Sequence, residues 1–175
     1  EAFPPERAAA YAIETGARVS GGTDMVKLSA CLGRDFALGA ETSDNVSKLL
    51  LCLQSGGMAI ANTGGDRQGY KGVFSDAGHY VAVLGIKAGE LVIGDPGLYG
   101  GKYDKPYRAS VTVSDGLCCA PPEVLDADCA NRSPRYYLFK REGEENMTQE
   151  QFNSMMEAYL AQRGREEASG WAYPE

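Results

Sequence analysis

The sequence has no excess of basic residues, no long apolar run and a single histidine. Lys and Arg number 17 against 24 Asp and Glu, which leaves a formal net charge of -7 with no Lys/Arg cluster. This balance argues against a phosphate backbone or an anionic membrane as the main partner, so we expect no nucleic acid ligand. No stretch approaches the roughly 18 uninterrupted apolar residues of a membrane helix, and we expect no membrane span.

The cysteines also lack a recognisable metal pattern. The chain has no C-x-x-C pair, and one histidine with scattered carboxylates offers no ligand set at metal-binding spacing, so we expect no metal and no other cofactor. The five cysteines are Cys31, Cys52, Cys118, Cys119 and Cys129. Cys31 and Cys52 fall in apolar helical stretches, where buried thiols are expected. Cys118 or Cys119 could pair with Cys129 in an oxidising compartment, and the odd total leaves at least one thiol unpaired.

Length and patterning predict one domain with an appendage. The chain has 175 residues, 43% of them hydrophobic, which is enough for one core. Its first residues lack the basic-then-apolar layout of a signal peptide. We place the domain at residues 1–142, and a charged break, an amphipathic helix and a polar tail at residues 143–175.

The first third of the domain reads as three helices. Prolines suited to a first helical turn open the first, which ends at the C-cap glycine Gly16. Thr23 and Asp24 can cap a second helix that runs to about Phe36, and Thr42, Ser43 and Asp44 can cap a third before the break at residues 55–57.

Strands follow these helices. Residues 58–62, 79–86, 90–95, 109–113 and 136–140 are rich in β-branched and aromatic residues, and a helical turn is predicted within residues 121–132. Helices first and antiparallel strands afterwards indicate an α+β fold.

The appendage contains a predicted amphipathic helix at residues 148–163. Its apolar stripe consists of Phe152, Met155, Met156, Tyr159 and Leu160. The stripe suits either packing back onto the domain or self-association of two copies.

The only histidine lies at one end of a predicted hairpin. His79 begins the first strand and Asp95 closes the second, so an antiparallel turn near Ala88 brings the two side by side. A carboxylate that accepts the Nδ1 proton of an imidazole leaves Nε2 as a base, as in a catalytic triad. The alternative is a surface pair in which His79 merely donates to a nearby carboxylate.

The stretch G-H-Y-V-A-V-L-G-I followed by K-A-G-E-L-V-I-G-D-P-G resembles papain-like cysteine peptidases of the branch that includes the leader-cleaving, double-glycine peptidase domains of bacteriocin exporters. The resemblance covers about residues 3–142. It implies a papain-like fold with N-terminal helices on an antiparallel sheet, His79 as the catalytic base, Asp95 as its orienting partner, and a peptide or protein substrate. It also implies a bacterial secreted or cell-wall-associated protein.

The chain departs from this family at the nucleophile. Family members carry the catalytic cysteine near the start of an earlier helix, in a Cys-Gly-Pro-like context with a Gln just upstream, and this sequence has neither. We expect the nucleophile to lie upstream of Glu1, which would leave the chain inactive by itself. Two alternatives remain: another segment supplies the thiol, or the protein is a non-catalytic binding or scaffold module that retains the fold.

Two loops are candidates for the walls of a substrate cleft. Residues 62–78 join a strand to His79 and are rich in Gly and Asp, which suits either a cleft cover or a tolerant surface loop. Residues 98–107 follow Asp95 and carry Tyr99, Tyr103 and Tyr107, which could line a cleft or simply pack.

Overall fold

The computed structural model describes residues 5–141, and the predicted helix at 148–163 lies outside this part of the chain. The described part is a mixed fold of helices and an antiparallel sheet, which confirms the α+β prediction. Its α-helices are α1 (Pro5–Glu14), α2 (Met25–Asp35), α3 (Val46–Gln54) and α4 (Pro122–Cys129). None of these helices is long and apolar enough to cross a membrane.

The helix boundaries follow from local capping chemistry. The Asp24 side chain accepts a hydrogen bond from the backbone N–H of Lys27 at 3.0 Å, as predicted for the start of α2. At the start of α3 the cap is Asn45, one residue after the predicted Asp44, and its Oδ1 accepts from the Ser47 N–H at 2.7 Å. Both caps satisfy N–H groups that have no partner inside the helix.

Within residues 5–141, nine strands form two antiparallel sheets. A small ribbon pairs β1 (Arg18–Val19) with β2 (Gly22–Thr23). The large sheet contains β3 (Leu38–Ser43), β4 (Met58–Thr63), β5 (His79–Lys87), β6 (Glu90–Gly94), β7 (Thr112–Ser114), β8 (Leu117–Ala120) and β9 (Tyr136–Arg141). Its spatial order is β3-β9-β4-β5-β6-β8-β7, so β4, β5 and β6 lie in the interior of the sheet.

Four strands were not predicted from the sequence: both strands of the small ribbon, and β3 and β8 of the large sheet; one further strand was predicted to begin too early. The β3 segment is mostly exposed and lacks an apolar alternation, while β8 holds Cys118 and Cys119, for which no strand was predicted. Asp115 and Gly116, both with positive φ, form the turn between β7 and β8. The strand predicted at 109–113 begins only at Thr112, because a short 3-10 helix occupies Pro106–Arg108.

The sheet has a different cover on each face. On one face α3 and α4 contribute Leu49, Leu53 and Leu125 to the main hydrophobic core. On the other face α2 places Met25 against Tyr137 and Phe139 of β9. The site described below lies on the α3 and α4 face, where the strand residues are most deeply buried.

The long loop at residues 64–78 is fastened to α4 by a buried carboxylate. Asp128 is completely buried, and its two oxygens accept hydrogen bonds from the backbone N–H groups of Val73 (2.8 Å) and Phe74 (3.1 Å). Phe74 is itself fully buried in the main core. The loop that leads to His79 is therefore held to the core by buried contacts.

We expect Asp128→Asn to lower the free energy of unfolding by roughly 2 to 3 kcal/mol, because an amide can accept only one of the two bonds and leaves a buried N–H unpaired. Equilibrium urea unfolding of the wild type and the variant measures this difference. The matched control is Glu123→Gln on the exposed face of the same helix, which should stay within about 0.5 kcal/mol of the wild type. An equal effect of the two substitutions would contradict the anchoring role.

Candidate active site

The β5–β6 hairpin determines where His79 and Asp95 meet. Its tight turn consists of Ala88 and Gly89, both with positive φ, between the paired residues Lys87 and Glu90. The pairing then shifts register between Val83 and Gly85, so that Leu84 is an extra residue on β5. This irregularity is a β-bulge of the kind that often re-aims side chains near a site.

The bulge puts the two side chains on one face of the sheet. Beyond it Ala82 pairs with Gly94, so continuing the register sets Asp95 opposite Val81, two residues from His79. Residues two apart on a strand share a face, whereas an unbroken register would have set Asp95 opposite Ala82 and on the other face from His79. The extra residue Leu84 thus allows the side chains of His79 and Asp95 to meet.

His79 and Asp95 are hydrogen-bonded, as the hairpin predicted. The Nε2 of His79 lies 2.8 Å from Oδ1 of Asp95, and the two side chains are 23% and 0% exposed. The predicted ring nitrogen was wrong, because the sequence reasoning assigned the carboxylate contact to Nδ1. With Nε2–H donating to Asp95, Nδ1 is the nitrogen left as an acceptor, and it has no hydrogen-bond partner within residues 5–141.

Three further donors surround the Asp95 carboxylate. Oδ1 also accepts from the Gly97 N–H at 2.8 Å, while Oδ2 accepts from Lys102 Nζ at 2.5 Å and from the Tyr103 hydroxyl at 2.7 Å. Each oxygen therefore accepts two bonds. A buried carboxylate with this many partners is fixed in orientation as well as in charge.

These donors determine the ionisation of the carboxyl group. Burial by itself would raise the pKa of Asp95, but the hydrogen bonds from Lys102, Tyr103, His79 and the Gly97 N–H together lower that pKa to about 2. Asp95 is therefore a carboxylate at every pH where a histidine base operates. Burial and the bond to Asp95 also raise the pKa of the Tyr103 hydroxyl, which remains a neutral donor.

The sequence pattern does not predict the role of Lys102, and Tyr103 both bonds to the site and packs in the core. The hydroxyl of Tyr103 donates to Asp95 while its ring packs edge-on against Phe74, with centroids 6.2 Å apart. Tyr99 is 60% exposed and Tyr107 is 38% exposed, and neither contacts the carboxylate. The contact of Lys102 with Asp95 could have been suggested only by its position in the sequence: Lys102 lies seven residues after Asp95, in a loop that must turn back towards the end of the strand.

A buried arginine holds this loop in place. Arg108 is 2% exposed, and its guanidinium donates to the Lys102 carbonyl at 3.4 Å and to an Asp76 carboxylate oxygen at 2.6 Å. It also donates to the Gly72 carbonyl at 3.4 Å. Arg108 thereby links the two loops that the sequence reasoning named as candidate cleft walls.

None of the five thiols supplies an activated nucleophile in the described part of the chain. Cys52, Cys118 and Cys129 are buried, and burial raises the pKa of each thiol. Cys31 and Cys119 are half-buried, and all five cysteines are unpaired, so the disulfide considered for Cys129 is not formed. No hydrogen bond joins any of these thiols to His79 within residues 5–141. The same residues contain no cluster of three His, Cys, Asp or Glu side chains that could hold a metal ion.

A shallow apolar groove of about 480 Å³ lies beside this end of the hairpin. It is lined by Ile60, Tyr80, Val81, Ala82, Gly94, Asp95, Pro96 and Gly116. Because Tyr80 and Ala82 alternate with the buried Val81 and Val83, the groove lies on the sheet face opposite the main core.

Comparisons with protein-family models, with curated proteins and with solved structures each found no match for the chain. The assignment of His79 and Asp95 to catalysis therefore remains a prediction from residues and geometry.

The Asp95 carboxylate links stability to pH. Its folded pKa of about 2 lies below the value of about 3.9 for an unfolded Asp, so its stabilising effect is complete above about pH 5 and is lost as the pH falls through the folded pKa. We expect the free energy of unfolding to fall by about 2 kcal/mol from this group between about pH 5 and pH 2. Urea unfolding across this range measures the fall.

Asp95→Asn should lose this contribution to the acid dependence, whatever its stability at neutral pH. Asp115→Asn serves as the matched control, since Asp115 lies on an exposed turn and asparagine tolerates its positive φ. The control should retain the wild-type dependence. An Asp95→Asn variant with an unchanged acid slope would contradict the pKa given above.

The thiols should differ in reactivity according to burial. We expect iodoacetamide at neutral pH to modify Cys31 and Cys119 at least ten times faster than Cys52, Cys118 and Cys129. Burial keeps the fraction of thiolate low in the last three cysteines and limits the access of the reagent. Time-resolved peptide mass spectrometry measures the five rates separately, with the urea-unfolded chain as the reference for equal access. Fast labelling of Cys118 in the folded protein would show that the strand β8 core opens readily.

Proposed function

We propose that His79 and Asp95 are the base and the orienting carboxylate of a papain-like cysteine peptidase. The observation that carries this proposal is the hydrogen bond from His79 Nε2 to Asp95 Oδ1 at 2.8 Å, made by a carboxylate that is completely buried. This hydrogen bond places the proton of the neutral ring on Nε2, and Nδ1 of the partly exposed imidazole is then the proton acceptor. This is the arrangement that a general base requires.

The reaction class is thiol acyl transfer. Nδ1 of His79 takes the thiol proton, and the thiolate sulfur forms a bond to the carbonyl carbon of a peptide. The imidazolium then returns the proton to the leaving amine as the C–N bond breaks, and water hydrolyses the thioester with His79 again as base. Asp95 stays ionised throughout and holds the ring in orientation.

A peptide is the substrate class that the proposed reaction implies, since a thiolate paired with a histidine base attacks a carbonyl carbon. The apolar groove lies on the opposite face of the sheet from His79, so it is not the cleft in which this attack would take place. The formal net charge of -7 disfavours a polyanionic substrate.

The thiol is proposed to come from outside residues 5–141, on the same polypeptide or on a second one. The described cysteines are poor candidates, because three of them are buried with raised pKa values and the hydrogen bonds of Cys52 go to backbone carbonyls. A catalytic thiolate needs a position where the imidazole and a helix N-terminus can stabilise its charge.

A non-catalytic binding or scaffold module is the second candidate. The observation that favours it is that Asp95 also binds Lys102 and Tyr103, which ties the loop at residues 98–105 to the end of β6. A purely structural ion pair would give the same contacts. In that case the groove would bind a peptide without cleaving it.

The test uses the complete natural polypeptide that contains this sequence, incubated with a peptide library and analysed by mass spectrometry. Cleavage should fall by about 10²- to 10⁴-fold in His79→Ala, because the general base is lost. Lys87→Gln, exposed at the opposite end of the same hairpin, should retain the wild-type rate. Pretreatment with iodoacetamide should abolish cleavage if a thiol is the nucleophile.

The two candidate functions give different results in this experiment. Cleavage that survives both His79→Ala and alkylation would overturn the peptidase proposal. Peptides that are retained by the wild type and by His79→Ala alike, with no cleavage by either, would support the binding module.

A further inference from the structure

Lys102 is a buried lysine whose ammonium is directed at the candidate site. Its side chain is only 5% exposed, and Nζ donates to Asp95 Oδ2 at 2.5 Å and to the Gly97 carbonyl at 3.3 Å. Lysine is almost never buried to this extent unless it is paired, since removing an ammonium from water is costly. The position therefore needs an explanation beyond general surface electrostatics.

The two Asp95 oxygens have different roles. Oδ1 faces His79 Nε2 and the Gly97 N–H, whereas Oδ2 faces Lys102 and Tyr103. Rotation of the carboxylate about its Cβ–Cγ bond would break all four bonds at once. Because Lys102 supplies the full positive charge on the Oδ2 side, it makes the strongest contribution to holding this orientation.

The other groups around Asp95 do not replace this cation. Tyr103 is a neutral donor, and its hydroxyl is also within hydrogen-bonding reach of the buried thiol of Cys118. Burial raises the pKa of that thiol as well, so Cys118 adds no charge. Within residues 5–141, Lys102 is the ammonium group that donates to Asp95, and His79 is the other basic side chain in contact with this carboxylate.

We propose that Lys102 is a positioning residue for His79: its ammonium group holds the Asp95 carboxylate in the orientation in which Oδ1 accepts from Nε2, which leaves Nδ1 as the acceptor nitrogen of the ring. The catalytic meaning of this role rests on the proposed function. The role in orienting the ring is a property of the folded chain and is measurable without substrate.

The single histidine makes the experiment unambiguous. In a chain labelled with 15N-histidine, every imidazole signal comes from His79, and the ring nitrogen shifts identify which nitrogen carries the proton. At a pH where the ring is neutral, the wild type should show a protonated Nε2, an unprotonated Nδ1 and a slowly exchanging Nε2–H. In Lys102→Met, exchange of this proton should be at least ten times faster.

A second readout follows the Asp95 carboxyl carbon by 13C NMR. Without Lys102 the buried carboxyl loses its strongest stabilising partner, and its titration midpoint should move upward by at least about one pH unit. Lys105→Met is the matched control, because Lys105 is exposed on the same loop, and it should change neither signal. Lys102→Arg retains the charge and should restore most of the Asp95 shift.

Wild-type spectra keep the proposal falsifiable if Lys102→Met does not fold. The Lys102 ammonium protons should exchange more slowly than those of Lys105 and should lose this protection as Asp95 becomes protonated. Equal exchange of the two lysines, or a Lys102→Met variant with unchanged Nε2–H exchange and an unchanged Asp95 midpoint, would overturn the proposal. A failed peptidase assay alongside the expected spectra would overturn only the proposed function.

Discussion

The buried negative charge of Asp95 is the constraint on which this end of the molecule depends. Its carboxylate has no exposed surface and accepts four hydrogen bonds, from His79, Gly97, Lys102 and Tyr103. A charge in this environment is tolerated only when its partners are all in place. The orientation of the imidazole, the path of the loop after Pro96 and the burial of Lys102 therefore depend on one another, and removing any one partner should disturb the others.

The position of this carboxylate depends in turn on one extra residue in β5. The bulge at Leu84 shifts the β5–β6 register by one, which moves Asp95 from the face of Ala82 to the face of Val81 and His79. The stretch from Tyr80 to Ile86 is apolar almost throughout, so its sequence pattern does not reveal where the alternation breaks. The distance along the chain made the pairing of His79 and Asp95 plausible, but only the register determined that both side chains share a face.

Most of the fold was predictable where local chemistry determines it. The predicted caps and the break at residues 55–57 were sufficient to place α2 and α3, and stretches rich in β-branched and aromatic residues identified the strands β4, β5, β6 and β9. The strand β3 was not predicted, because it is stabilised by pairing with β9 and presents a mostly exposed, mixed sequence. The ring nitrogen that meets Asp95, and the contact with Lys102, depend on tertiary packing and have no local signature.

The partial exposure of His79 separates the two functional readings better than the ion pair does. A scaffold accounts fully for Asp95, Lys102 and Tyr103, since together they fasten a loop to the end of a strand and are all buried. It gives no account of an imidazole that is a third side-chain partner of a carboxylate already bonded to Lys102, Tyr103 and the Gly97 N–H. This imidazole remains 23% exposed, and its Nδ1 has no partner within residues 5–141. A base that must meet a thiol and a peptide requires those same features, because a fully buried imidazole could exchange no proton with either. The two proposed functions therefore differ in what Nδ1 of His79 does. The buried hydrogen-bond network around Asp95 supplies rigidity that either function would use.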